Sequence, residues 1–392
     1  MKIVVAPDSF KGSLTALQVG KIIQKALIKN IPDVQVEINP MADGGEGTLE
    51  TLLFATNGKR FQVTSPGPLM KHVATEYGVL GDGKTAVIEI AAISGLPMVP
   101  IDKRNPLNTS TYGIGDVILK AAKDGYREFI VCLGGSSTND GGLGMLQALG
   151  VQFLEENNKE VPPVGGSIYN VKKVDFKTLN PIIKDCHFRI ASDVDSPLCG
   201  ENGATYIFGP QKGVREEHLE EYDQAMYRYA SLIEGHVGRD VQSIPGAGAA
   251  GGLGFAFLLL NAKIESGSKI VADATDLKGK MKDADFAITG EGQSDHQTLF
   301  GKVPSFVAEL ANEAGIKTIL LSGSLGKGYE ELYNHFISCH SITTGPMALE
   351  ECMKNAEALL ANAARNIACL LKEISDVRTR QRIIQSKMKN HV

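Results

Sequence analysis

The sequence lacks any C-x-x-C pair: its six cysteines, Cys132, Cys186, Cys199, Cys339, Cys352 and Cys369, are scattered. That spacing excludes a zinc cluster or a disulfide framework and fits a reducing cytoplasm. No run of eighteen apolar residues occurs, so no membrane span is expected. The opening MKIVVAPDSF has neither the long apolar stretch nor the small-residue cleavage site of a signal peptide. A large excess of one charge sign is missing too: 40 Lys and Arg against 45 Asp and Glu leave a formal net charge of −5. Nucleic acid, which calls for a basic footprint, is therefore not the expected partner. The eight histidines show no metal-ligand spacing and there is no G-x-S-x-G elbow, which argues against covalent catalysis.

Glycine is abundant. Its 43 copies gather in knots at 44–47, 134–144, 246–254 and 290–292. Several knots follow short β-branched runs and precede helical patterns, as in α/β proteins whose loops at strand C-termini bind ligands. With 392 residues, 43% of them hydrophobic, two domains are expected. Strands are read at 3–6, 34–39, 129–133, 269–272, 286–289, 318–322 and 338–342. Helices are read at 14–30, from 48, and at 114–124, 303–314 and 349–371, with Ser13 or Thr15 as the first N-cap. Residues 61–92 read as short antiparallel strands with turns.

The expected fold is α/β. A discontinuous doubly wound parallel domain would use 1–60 plus 265–372, and 61–264 would form an inserted α/β domain containing a mixed sheet. A basic tail, 373–392, would extend the last helix as a solvated segment or serve as a docking segment.

Two motif matches fail on context. Gly78 to Thr85 fits a Walker A pattern, but its flanks are strand-like and Asp82-Gly83 signals a hairpin turn. Gly246, Gly248 and Gly251 fit G-x-G-x-x-G with Asp273 downstream, but VGRDVQSIP is a poor preceding strand. A close-packing loop and a phosphate or substrate loop both remain open there, beside a dinucleotide site.

Six segments concentrate the chemistry. Asp8, Ser9 and Lys11 lie between the first strand and helix, where Lys11 can meet a phosphate or carboxylate. Asp43, Gly44, Gly45 and Glu46 precede a helix; the glycines let backbone approach an anion, and the carboxylates can hold Mg²⁺. Ser136, Asn139 and Asp140 sit in a donor-rich loop suited to an anionic or polyhydroxy ligand. Asp193 ends a strand and can take a proton from an alcohol, with Lys212 further on as an anion partner. Gly290, Glu291, Gly292 and Asp295 end the strand DFAIT, and Lys302 opens the next helix. Turn and cap roles remain the alternative for Asp8, Ser13, Asp43, Glu46, Asn139 and Asp140. The set suits direct phosphoryl transfer with Mg²⁺.

In order, APDSFKGSLTA, MADGGEGT, TSTYGIGD, GGSSTNDGGLG, SDVDSPLCG, FGPQKG, PGAGAAGGLG and TGEGQSDHQTLFGK resemble the type I glycerate kinase family over residues 1 to about 371. The resemblance implies ATP and Mg²⁺, D-glycerate as acceptor, and a flavodoxin-like domain with a second domain inserted. Ser196 stands where the family usually has Asn, and Ser137 replaces a common Ala.

By motif match the site would comprise Asp8, Lys11, Asp43, Glu46, Ser136, Asn139, Asp140, Asp193, Lys212, Glu291 and Asp295. Asp193 is read as the base, and Lys11 and Lys212 as holders of phosphate or glycerate carboxylate. Asp193, Lys11 and Asp8 form the catalytic group. Asp43, Glu46 and Glu291 form the metal group. Ser9, Gly44, Gly45, Ser136, Asn139, Asp140, Lys212, Gly290, Gly292 and Asp295 bind substrate or ATP. The product would be phosphoglycerate, with 2-phosphoglycerate favoured. An NAD-linked oxidoreductase of a small hydroxy acid and a non-catalytic carboxylate-binding module are the alternatives. Homo-oligomer formation is left open.

Overall fold

The computed structural model describes residues 1–389, with side chains described to residue 375. The chain has a mixed α/β fold with parallel sheets. It divides into two compact units, 1–42 with 271–392, and 43–270.

The first unit holds an all-parallel sheet in the order Ser338–Ser341, Lys317–Ser322, Phe286–Thr289, Lys2–Val5, Gln35–Ile38. Central runs such as KIVV, FAIT and TILLS have no polar alternation, because both faces are covered. Ile3, Val5, Ile288, Ile319 and Leu321 pack in one core with the helices Ala16–Asn30 and Ala356–Lys389. Leu320 packs instead with Ala308 of the helix Val303–Glu313. Thr15 is the first N-cap, in a capping box with Gln18.

The second unit has a six-stranded sheet. Lys263–Glu265, His187–Ala191, Glu128–Cys132 and Thr85–Glu89 run parallel; His72–Val79 and Lys59–Pro66 continue it antiparallel. The helix Thr48–Thr56, grouped by the sequence reading with residues 1–60, belongs to this unit. Its Leu49 and Leu53 lie so close to Gly78 that a Cβ there would meet them at 2.5 and 2.8 Å.

This framework decides two readings and narrows a third. Residues 78–85 form a hairpin, with Leu80 N–H donating to the Thr85 carbonyl at 2.9 Å, and the strand Thr85–Glu89 rather than a helix continues from it. The strand read at 269–272 is part of the helix Gly267–Ala274. Its KIVA run is too short for periodicity to separate a strand from a buried helix turn. No strand precedes Gly246, and Gly248 and Gly251 are close-packing positions. A Cβ on them would stand 2.2 Å from the Pro197 carbonyl oxygen and 2.0 Å from that of Thr138. Asp273, its proposed ribose partner, belongs to the other unit.

The last helix runs to Lys389, and the side-chain reading of the basic tail lies outside the described residues. Among the described residues no helix is long and apolar enough to cross a membrane.

Candidate active site

Parallel strands deliver their loops to one edge, and the predicted residues of each unit gather there. In the first unit the Asp8 amide donates to the Gly290 carbonyl at 2.8 Å. Gly290 cannot carry a side chain, since its Cβ would stand 1.8 Å from the Leu321 carbonyl oxygen. The loops after Val5, Thr289 and Ser322 are thereby drawn together. Lys11 is exposed on the first of them, in a turn closed by the Ser13 amide on the Phe10 carbonyl at 2.8 Å.

Glu291 is buried in this loop set. Its Oε1 accepts from Ser294 Oγ at 2.9 Å and Thr298 Oγ1 at 2.7 Å, and Lys302 Nζ lies 3.6 Å from Oε2. Burial pushes its carboxyl above the usual range, against the bonds from Thr298 and Ser294 and the charge of Lys302. Asp295 caps the turn His296–Leu299, accepting from the Gln297 amide at 2.9 Å. The structure thus gives both acids visible local work within the protein.

In the second unit the Asp43–Gly47 loop lies against the ends of two parallel strands. The Gly134 amide donates to the Gly44 carbonyl at 3.1 Å. A Cβ on Gly44 would meet the Ala191 carbonyl oxygen at 2.7 Å. Asp43 Oδ1 accepts from the Gly45 amide at 2.8 Å, while Asp43 and Glu46 are exposed.

Asp193 follows Ala191 and is exposed at this edge. Its Oδ1 accepts from the Gly267 amide at 3.1 Å. Gly267 in turn packs on Asp43, where a Cβ would stand 2.1 Å from the carbonyl oxygen. Desolvation by the surrounding loops raises the Asp193 pKa, opposed by bonds from Ser266 and Gly267 and reinforced by the charges of Asp43 and Asp195.

The Gly134–Gly142 loop is built on buried polar groups. Asp140 accepts from Thr111 Oγ1 at 2.7 Å, from the Thr111 and Gly142 amides at 3.0 Å each, and from the Gly144 amide at 3.3 Å. Asp140 is fully buried, so its visible work is to shape the loop. Lys212, also buried, donates to Ser136 Oγ at 3.0 Å and the Thr138 carbonyl at 2.7 Å. Desolvation brings its pKa down to about 7, although the charge of Asp140 acts in the opposite direction. Asn139 donates to Thr205 Oγ1 at 3.0 Å.

Several contributors escaped the sequence reading. Thr111 shapes Asp140, Gly267 holds Asp193, and Tyr222 donates to the Asn139 carbonyl at 2.6 Å. Glu89 is the fourth: it ends an apolar strand, and that position was the available signal. Among the described residues no cluster of three or more His, Cys, Asp or Glu side chains forms a metal site. Mg²⁺ commonly needs only one or two protein carboxylates, completed by phosphate and water. The exposed Asp43 and Glu46 carboxylates fit that need, whereas those of Glu291 already face hydroxyls and an ammonium.

Comparison with known proteins yields a consistent set. The model of the glycerate kinase family matches residues 3–372. The chain is 46% identical to a glycerate kinase of Halalkalibacterium halodurans over 368 residues, 93% of this chain and 97% of that protein. It is 43% identical to the glycerate 2-kinase of Escherichia coli over 373 residues, 95% of this chain and 98% of that protein. A crystal structure of a candidate glycerate kinase 2 from Salmonella typhimurium LT2 superposes with a TM-score of 0.86 at 40% identity, covering 96% and 99% of the two chains.

Proposed function

The chain belongs to the glycerate kinase family, and we propose that this phosphotransferase carries the γ-phosphoryl group of Mg·ATP to the 2-hydroxyl of D-glycerate. The observation that carries the mechanism is Asp193: an exposed carboxylate, fixed by the Gly267 amide at 3.1 Å, with a pKa above the usual range. A base of that kind can take the hydroxyl proton as attack begins. The substrate oxygen then bonds to the γ-phosphorus in line as the bond to the bridging oxygen breaks, and ADP leaves.

The other roles follow from placement. Lys11, exposed after the first strand, meets a phosphate or the glycerate carboxylate. Asp8, Ser9, Gly290 and Gly292 shape the same edge of the first unit. Ser136, Asn139 and Asp140, braced by Lys212, form the donor-rich loop of the second. Asp43 and Glu46 hold Mg²⁺, which when bound neutralises phosphate charge. Glu291, with Asp295, acts by positioning its loop.

We also read the first unit as a flavodoxin-like doubly wound domain, since the strands of its five-stranded sheet, counted in chain order, run 2-1-3-4-5. The second unit is then the inserted domain, and the enzyme is cytoplasmic. The similarity to the glycerate 2-kinase of Escherichia coli supports the 2-hydroxyl. Steady-state ADP release from Mg·ATP tests the reaction. Release should require D-glycerate, and unchanged release without glycerate would overturn the assignment of the acceptor.

A further inference from the structure

A helix start leaves backbone N–H groups without partners and attracts anions, most readily where a glycine loop precedes it. The helix Thr48–Thr56 follows such a loop. Its N-cap is Gly47, at φ +89°, which offers no side-chain cap. The slot is nevertheless filled from within the protein. Glu89, the last residue of the strand Thr85–Glu89, is buried. Its Oε1 accepts from the Gly47 amide at 3.1 Å, and its Oε2 from the Leu49 amide at 3.0 Å.

We propose that Glu89 is a positioning residue whose carboxylate occupies the anion slot of the Asp43–Gly47 loop, making that loop the cation-binding side of the site. With Gly47 and Leu49 donating to Glu89, these amides are spent, and a phosphate cannot take their place. The loop turns its exposed acids, Asp43 and Glu46, outward instead. Two further bonds keep it in that form: the Gly45 amide to Asp43 Oδ1 at 2.8 Å, and Thr48 Oγ1 to the Gly45 carbonyl at 2.7 Å. Glu89 acts through these acids and touches no substrate. The inference rests on the Mg·ATP reading above.

Glu89→Gln tests it, because the amide keeps the shape but sets an NH₂ against a backbone N–H. Paramagnetic resonance of Mn²⁺ with ADP measures cation affinity without turnover. The variant should bind Mn²⁺ about tenfold or more weakly and lose a similar factor in kcat, the scale typical of groups that orient metal ligands. In Glu89→Ala, added acetate or formate should refill the slot and restore part of both, with no effect on the unmodified enzyme. Wild-type Mn²⁺ affinity and kcat in a folded Glu89→Gln protein would overturn the proposal. So would a loss of turnover with unchanged Mn²⁺ affinity and no recovery with acetate. If the unmodified enzyme binds Mn²⁺ with ADP yet leaves glycerate untouched, the substrate assignment fails while the role of Glu89 stands.

Discussion

Desolvation by the surrounding loops, reinforced by the charges of Asp43 and Asp195, raises the Asp193 pKa, so its carboxylate accepts a proton more readily than a free aspartate does. A base must be ionised to act. Its raised pKa therefore places the acid limb of kcat/KM above the ordinary aspartate value of about 3.9, with activity lost as pH falls through it. Asp193→Asn should lower kcat by roughly 10²–10⁴ and remove that limb while the melting temperature stays close to wild type. Near wild-type turnover in the variant would take Asp193 out of the mechanism. Lys212 is the converse case. The unfolded chain keeps its proton up to the usual 10.5, but the folded chain releases it near 7. Between those values the unfolded state binds more protons, so raising the pH favours folding. Urea unfolding should show wild type gaining stability relative to Lys212→Met from pH 7 to 9, with a flat difference below pH 7. A difference independent of pH would mean that Lys212 keeps its charge in the fold.

At the scale of elements, what was legible depended on whether a signal was local. The strand Phe286–Thr289 and the start of the helix at Thr48 could be read directly, because an apolar run and a glycine-to-helix change lie in adjacent residues. The loop after that strand carries Glu291 and Asp295, and the loop before that helix carries Asp43 and Glu46. The helix Gly267–Ala274 was misread because KIVA suits either element, and only the fold shows both Ile270 and Val271 buried in a helix. Thr111, Gly267 and Glu89 were missed because each acts on residues 29 or more positions away, and no local pattern encodes such a partner. Gly267 makes the consequence testable. Its Cβ position is 2.1 Å from both the carbonyl carbon and the oxygen of Asp43, which backbone cannot yield cheaply. Gly267→Ala should destabilise the protein by about 1–3 kcal/mol, seen as a lower melting temperature, and reduce kcat by shifting Asp43 and Asp193. An unchanged melting temperature would show that the two segments part easily.

At the scale of the whole molecule, two compact units each bring glycine-rich loops and ionic side chains to the ends of parallel strands. Lys11 belongs to the first unit, whereas Asp193 and the acids assigned to Mg²⁺ belong to the second. The central claim is that the chain phosphorylates the 2-hydroxyl of D-glycerate. Phosphorus NMR of the product, made with Mg·ATP and again with excess EDTA, tests it most directly. A phosphate on C2 couples to one carbon-bound proton and one on C3 to two. The account predicts a Mg²⁺-dependent doublet alongside ADP; a triplet would place the phosphate on C3, and the absence of any phosphoglycerate signal would contradict the kinase itself.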